Sequence, residues 1–157
     1  MRTGSDADRF PSRKSPRLKY YDYSLPNYYF VTICTFDRVC IFGKPDRLSQ
    51  RGVVAEAVLR EIESHFSSVR VDKYVVMPNH VHMILVLENS NAELTQIVGQ
   101  YKSSVTREIR KTYPQSQVWQ TSFHDHVIRN QKDYERIWSY IEANPQNWDK
   151  DCFFVKI

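Results

Sequence analysis

A chain of 157 residues is about one domain long, and 41% hydrophobic with 13% aromatic residues suffices to build a core. A mean hydropathy of −0.55, with no apolar run near the ~18 residues a span needs, predicts no membrane segment. Three cysteines without a CxxC spacing (Cys34, Cys40, Cys152) argue against a disulfide framework or a cysteine zinc site, and four glycines leave no phosphate-cradling loop. The net charge of +4 sits wholly in residues 1–19, where six bases, among them Arg13, Lys14 and Arg17, face two acids. That arm also carries Pro11, Pro16 and three serines, so it is expected to be mobile in the free protein. It reads either as a polyanion-binding arm or as a solubilising terminus. No apolar stretch follows these bases, so neither a secretory signal nor export from a reducing cytoplasm is expected. Residues 20–157 are expected to form one domain.

The elements follow in chain order. Residues 27–36 (NYYFVTICTF) are rich in β-branched and aromatic side chains and predict a strand. A turn is expected at Gly43–Pro45. Val54, Val58, Ile62 and Phe66 recur every four residues, which predicts one helix over 49–67. Strands are expected at 69–76 and 80–88, joined by a turn at Met77-Pro78-Asn79. A second helix is expected over 92–112, with Leu94, Ile97, Val98, Tyr101, Val105 and Ile109 on one face. A short strand near 123–129 precedes a third helix over 131–144, capped by Asn130 and ended by Asn144-Pro145, because the residue before proline disfavours the helical region. The order βαββαβ plus a C-terminal helix predicts an α+β, ferredoxin-like antiparallel sheet with two helices on one face and the first and third strands central.

Two stretches carry chemistry. On the strand 80–88, side chains alternate faces. Val81, Met83, Leu85 and Leu87 then suit the helix-covered core, and His80 and His82 share the open face, close enough to chelate one cation. The alternative is a pair of packing or surface histidines. On the third helix Tyr140 and Asn144 are one turn apart on one face. They are also what a packing tyrosine and a helix cap would look like. A second His-x-His, His124-Asp125-His126, competes with the first, although surface or packing roles suit it better. Arg107, Arg110 and Lys111 lie opposite the apolar face of the second helix, with Lys102 at its edge. These read as phosphate contacts or as an ordinary solvated face. Trp119 suits the core better than base stacking.

Taken together, these segments resemble the REP-associated tyrosine transposases, in the single-tyrosine class of HUH nucleases of bacterial insertion sequences. The matching stretches are Tyr21-Asp-Tyr-Ser, YYFVTICT at 28–35, Phe42-Gly43, VVMPNHVHMILV at 75–86, Trp119-Gln120, HDHVIRN at 124–130 and YIEANPQNW at 140–148. They span roughly residues 17–150. Leu25-Pro26-Asn27 stands where the family usually has small residues or glycine, which leaves the histidine motif untouched. The resemblance implies Tyr140 as nucleophile, His80, His82 and Asn144 as ligands of Mg2+ or Mn2+, and His126 in a supporting role. It also implies a 5′-phosphotyrosine intermediate on a single-stranded hairpin of palindromic repeat DNA, in a cytoplasmic, nucleoid-associated monomer or homodimer. With three neutral ligands and no carboxylate, the cation is expected to bind weakly until a DNA phosphate completes its shell. Two further readings share these residues. One is a nucleic-acid-binding sheet that stacks bases on Tyr29 or Phe30. The other is a domesticated DNA-binding protein without mobility.

Overall fold

The computed structural model describes residues 27–88 and 91–157. The basic arm, with Arg13, Lys14 and Arg17, lies outside the described residues, as does Tyr21-Asp-Tyr-Ser. Four strands form one sheet: β1 (Asn27–Cys34), β4 (Val69–Met77), β5 (His80–Leu87) and β6 (His124–Ile128). Their order is β4-β5-β1-β6 and every neighbouring pair is antiparallel. The first and third strands of the sheet, β1 and β5, are therefore central, as the element order predicts. Their register sets Thr32 opposite His82 and Cys34 opposite His80.

Strand alternation divides the side chains between two cores. Tyr29, Val31 and Ile33 of β1 join Val81, Met83, Leu85 and Leu87 of β5 in the larger core. Helices α1 (Gln50–Arg60) and α3 (Leu94–Thr112) cover that face, through Ala55, Val58 and Leu59 and through the apolar stripe from Leu94 to Ile109. The other face carries Phe30, Ile84 and Ile128, packed against Ile137 and Ile141 of α4 (Gln131–Ala143). The sheet is thus covered on both sides, and the histidine face is not open as the sequence reading supposes.

Between β1 and α1 the chain forms a small ribbon, β2 (Gly43–Lys44) with β3 (Arg47–Leu48), that the sequence reading takes for a plain turn. Gly43 has φ +106°, and a Cβ there would lie 2.4 Å from the Ser49 nitrogen, so only glycine fits. Ser49 then caps α1, accepting from the Gly52 N–H at 3.1 Å. The helix expected over 49–67 is two pieces, α1 and the short α2 (Ile62–His65), joined at Glu61. The amide of Glu61 reaches the Val58 carbonyl, a tightened turn that breaks the helix while Ile62 stays buried.

Helix α4 is held along its length. Asn130 accepts from the Asp133 N–H at 2.8 Å as its N-cap. Asp133 pairs with His126 of β6 at 2.6 Å, the Tyr134 hydroxyl donates to Asp72 at 2.5 Å, and Lys73 of β4 pairs with Glu142 while lying over the Trp138 ring. The helix ends at Ala143 with Asn144 as its C-cap, and the proline rule does not hold at Asn144. Asn144 keeps helical angles (φ −58°, ψ −43°), and the chain turns only afterwards, with the Asn147 amide returning to the Ala143 carbonyl. Among the described residues, no helix is long and apolar enough to cross a membrane.

Candidate metal and tyrosine site

His80 and His82 are buried, their ring centroids 4.5 Å apart. Each ring is held at Nδ1. Asn79 Oδ1 lies 2.8 Å from Nδ1 of His80, and Thr32 Oγ1 lies 2.8 Å from Nδ1 of His82. The orientation of the Asn79 amide follows from its other partners. Its Nδ2 donates to the carbonyls of Arg38 and Phe153, so Oδ1 accepts and His80 carries its proton on Nδ1. The Arg38 carbonyl is presented by a tight turn in which Asp37 and Arg38 both adopt left-handed angles. With Nδ1 engaged, both Nε2 atoms remain buried without a hydrogen-bond partner. This is how imidazoles are set for a cation, the outer nitrogen fixed by a neighbour and the inner lone pair left over. Burial lowers the pKa of His80 to about 4, against a partial opposing pull from Asp151. Burial and the neighbouring His80 hold His82 well below its usual range. Both rings are neutral at pH 7, as ligation requires.

Helix α4 brings Tyr140 and Asn144 to the same place. The Tyr140 ring meets His82 edge-on at 5.3 Å and Phe30 at 6.3 Å. Burial, followed by the charge of Asp151, raises the Tyr140 hydroxyl above the ordinary tyrosine range. Asn144 is buried, and its Oδ1 is another orphaned acceptor. The cap reading of Asn144 is also correct, since it ends α4. One residue fills both roles.

Asp151 is the site residue that sequence reasoning misses. After a turn of 3-10 helix at Trp148–Lys150, the chain folds back so that the Asp151 side chain is fully buried, with Oδ2 3.8 Å from His80 Nε2. That oxygen accepts from Asn144 Nδ2 at 2.6 Å and from the Tyr140 hydroxyl at 3.4 Å. Oδ1 accepts from the Phe153 amide at 2.8 Å, and the Phe153 ring lies 4.6 Å from that of His80. Beside the three expected neutral donors the structure therefore sets a carboxylate, which the sequence reading does not include. The sequence signal for it is slight: one of two acids, Asp149 and Asp151, between Trp148 and Phe153, past the end of the resembling stretch. Donor atoms of His80, His82 and Asp151 lie within 4.8 Å of one another. Ligand bonds of roughly 2.1 Å place donors up to about 4.2 Å apart across an ion, so a small inward shift closes the set. The orphaned donors and this spacing fit a divalent cation.

The other candidates fall elsewhere. His124 is exposed and His126 is engaged by Asp133 at the start of α4, so the second His-x-His does not converge on the site. Helix α3 packs on the face of the sheet opposite the imidazoles, and so Lys102, Arg107, Arg110 and Lys111 do not join them. Lys102 is occupied, its ammonium donating to the carbonyls of Gln120 and Thr121. Arg110 reaches the Ser116 carbonyl, and Arg107 and Lys111 flank Glu108 on the surface. Trp119 packs on Phe42 and Tyr101, as the core reading expects. Tyr29 and Phe30 are buried on opposite faces of the sheet, which leaves neither as a base-stacking platform.

Comparison with known proteins places these features. The chain is 31% identical over 168 residues to an uncharacterized protein of Haemophilus influenzae, covering 91% of this chain and 93% of that one. It is 34% identical over 79 residues to a REP-associated tyrosine transposase of Escherichia coli, covering 48% of this chain and 43% of the relative. In fold it resembles a REP-associated tyrosine transposase solved bound to a REP hairpin, with TM-score 0.59 and 20% identity over 83% of this chain and 74% of that one. Residues 25–144 match the IS200-like transposases, a family that acts in DNA transposition, and the chain belongs to it.

Proposed function

We propose that this transposase is a metal-dependent single-strand DNA endonuclease and strand transferase that acts through a covalent tyrosine link, with Tyr140 as nucleophile. One observation carries the reading. Three buried donor atoms without hydrogen-bond partners, His80 Nε2, His82 Nε2 and Asn144 Oδ1, come together beside the one tyrosine of α4 that packs on a histidine of the pair. Unsatisfied buried polar atoms are costly, and three in one place are best explained as ligands of a cation.

The chemistry follows from the residues. A phosphodiester resists attack because its own charge repels nucleophiles. A bound Mg2+ or Mn2+ neutralises that charge and stabilises the transition state. His80, His82 and Asn144 would hold the ion, with the two rings fixed at Nδ1 by Asn79 and Thr32. Tyr140 supplies the attacking oxygen. In the DNA-free protein its proton is held on by burial and by the negative Asp151, so attack awaits a change in the charge beside it. As the bond from the Tyr140 oxygen to phosphorus forms, the bond from phosphorus to the 3′-oxygen breaks; the phenol gives up one proton and the departing 3′-oxygen takes one up, leaving as a hydroxyl. The product is a 5′-phosphotyrosine, with the polarity of the family the sequence resembles. That link conserves the phosphodiester's energy, so an incoming 3′-hydroxyl can reverse the step without ATP.

A relative of this chain has been solved with a REP hairpin, and hairpin-forming palindromic repeats are the proposed substrate here. Arg107, Arg110 and Lys111, with the basic arm at Arg13, Lys14 and Arg17, are the proposed phosphate contacts. Lys102 contributes by fixing the 119–121 segment beside them. His126 supports the site by fixing the start of the tyrosine helix through Asp133.

The test is incubation of the protein with Mn2+ and end-labelled hairpin single strands. A label that migrates with the protein through denaturing electrophoresis, and is lost with Tyr140→Phe, is the expected result. Cleavage by the Tyr140→Phe protein at the wild-type rate would contradict it.

A further inference from the structure

His80, His82 and Asn144 are three neutral donors. The molecule holds a fourth group at the same point. Asp151 is a fully buried carboxylate, and among the described residues its one ion-pair partner within 4 Å is His80. Hydrogen bonds from Asn144, Tyr140 and Phe153 fix both of the Asp151 oxygens in place. The Asp151 oxygen and the lone pair of His80 Nε2 also face each other at 3.8 Å with no proton shared between them. Two acceptors turned toward one another across that gap are spaced so that one cation could bridge them.

We infer that Asp151 is itself a ligand, so that the DNA-free protein holds one divalent cation through His80, His82 and Asp151, with Asn144 completing the set. Asn144 serves it twice. Its Oδ1 is buried without a hydrogen-bond partner and available as a ligand, and its Nδ2 aims the Asp151 carboxylate at 2.6 Å. The Asn144 side chain thus couples the tyrosine helix to the C-terminal segment. Phe153 has a matching part, since its amide holds the other carboxylate oxygen and its carbonyl anchors the Asn79 side chain that orients His80. Two nitrogens, one amide oxygen and one carboxylate carry a net charge of −1 where the neutral trio carries none. Binding of the cation is then a property of the protein alone and does not wait for a DNA phosphate.

The inference rests on the proposed metal site, and the experiment separates the two. Mn2+ is titrated into the full-length DNA-free protein near pH 7.5, with loss of the free-ion electron paramagnetic resonance signal as readout. Wild type is expected to bind one ion. Asp151→Asn should weaken binding by about tenfold or more, and Asp151→Glu, which keeps the charge, should recover most of it. At saturating Mn2+, nitrogen couplings from two imidazoles should persist in Asp151→Asn, which shows the histidine site still folded. His80→Ala should remove binding altogether. Equal affinity in wild type and Asp151→Asn, with His80→Ala inactive in binding, overturns the role of Asp151 and leaves the histidine site standing. Equal affinity in wild type and His80→Ala overturns both.

Discussion

Thr32 and His82 face each other across the central strands β1 and β5, with the threonine hydroxyl 2.8 Å from Nδ1 of the buried ring. A contact made between two strands in register is as rigid as the sheet itself, so His82 is oriented by the fold and not by a loop. Thr32→Val preserves the shape but leaves Nδ1 without a partner. It should cost about 1–3 kcal/mol of stability and about tenfold in Mn2+ affinity, read by denaturant melts and metal titration. Unchanged affinity would mean that packing alone orients the ring.

The two His-x-His pairs give opposite expectations. His80→Ala should abolish both metal binding and the covalent adduct. His124→Ala, at an exposed position, should leave both at the wild-type level. His126→Ala removes the partner of Asp133 and should lower the melting temperature while retaining metal binding. The reverse pattern in adduct assays would assign the chemistry to β6.

Ile137 and Ile141 are the buried contacts that seat the tyrosine helix on Phe30, Ile84 and Ile128. Ile141→Ala, next to the nucleophile, should destabilise the protein by about 2–5 kcal/mol. It should also slow adduct formation under conditions where the protein remains folded, because Tyr140 loses its seat. Calorimetry together with adduct kinetics at low temperature checks both effects.

The start of α4 gives a prediction about acid. Burial alone would raise the Asp133 carboxyl, but hydrogen bonds from His126 and Arg136 outweigh it and hold it below its ordinary value. A depressed folded pKa adds stability above the unfolded pKa, and that stability is lost as pH falls through the folded value. The stability gap between wild type and Asp133→Asn should therefore be full at pH 5 and narrow below about pH 4. Urea melts at pH 5 and pH 3 measure it. A gap that widens in acid would contradict the assignment.

Most of the sheet is legible in the sequence because strand alternation is written residue by residue. Val81, Met83, Leu85 and Leu87 declare one face of β5, and His80 and His82 must then share the other. Tyr140 and Asn144 are legible as a pair because helical spacing fixes them on one face. What covers the histidine face is not legible, since the return of residues 148–153 depends on a turn after Asn144 that propensity does not specify. Asp151 and Phe153 reach the site only through that turn. The partners of Lys102 are hidden for a related reason. A lysine at the edge of an apolar stripe looks free for DNA until tertiary folding brings the Gln120 and Thr121 carbonyls onto it. The break at Glu61 is hidden because a tightened turn keeps the same apolar face.

Trypsin should release Ile137–Lys150 as one peptide, and it contains a single tyrosine, Tyr140. Mass spectrometry of this peptide, after reaction with hairpin DNA and Mn2+ and digestion of the DNA, locates the covalent bond. A mass increase of a 5′-linked nucleotide phosphate on Tyr140 is the expected result. Cut DNA with a free 5′-phosphate and an unmodified Ile137–Lys150 peptide, or a nucleotide on any other tyrosine, would contradict the proposed chemistry.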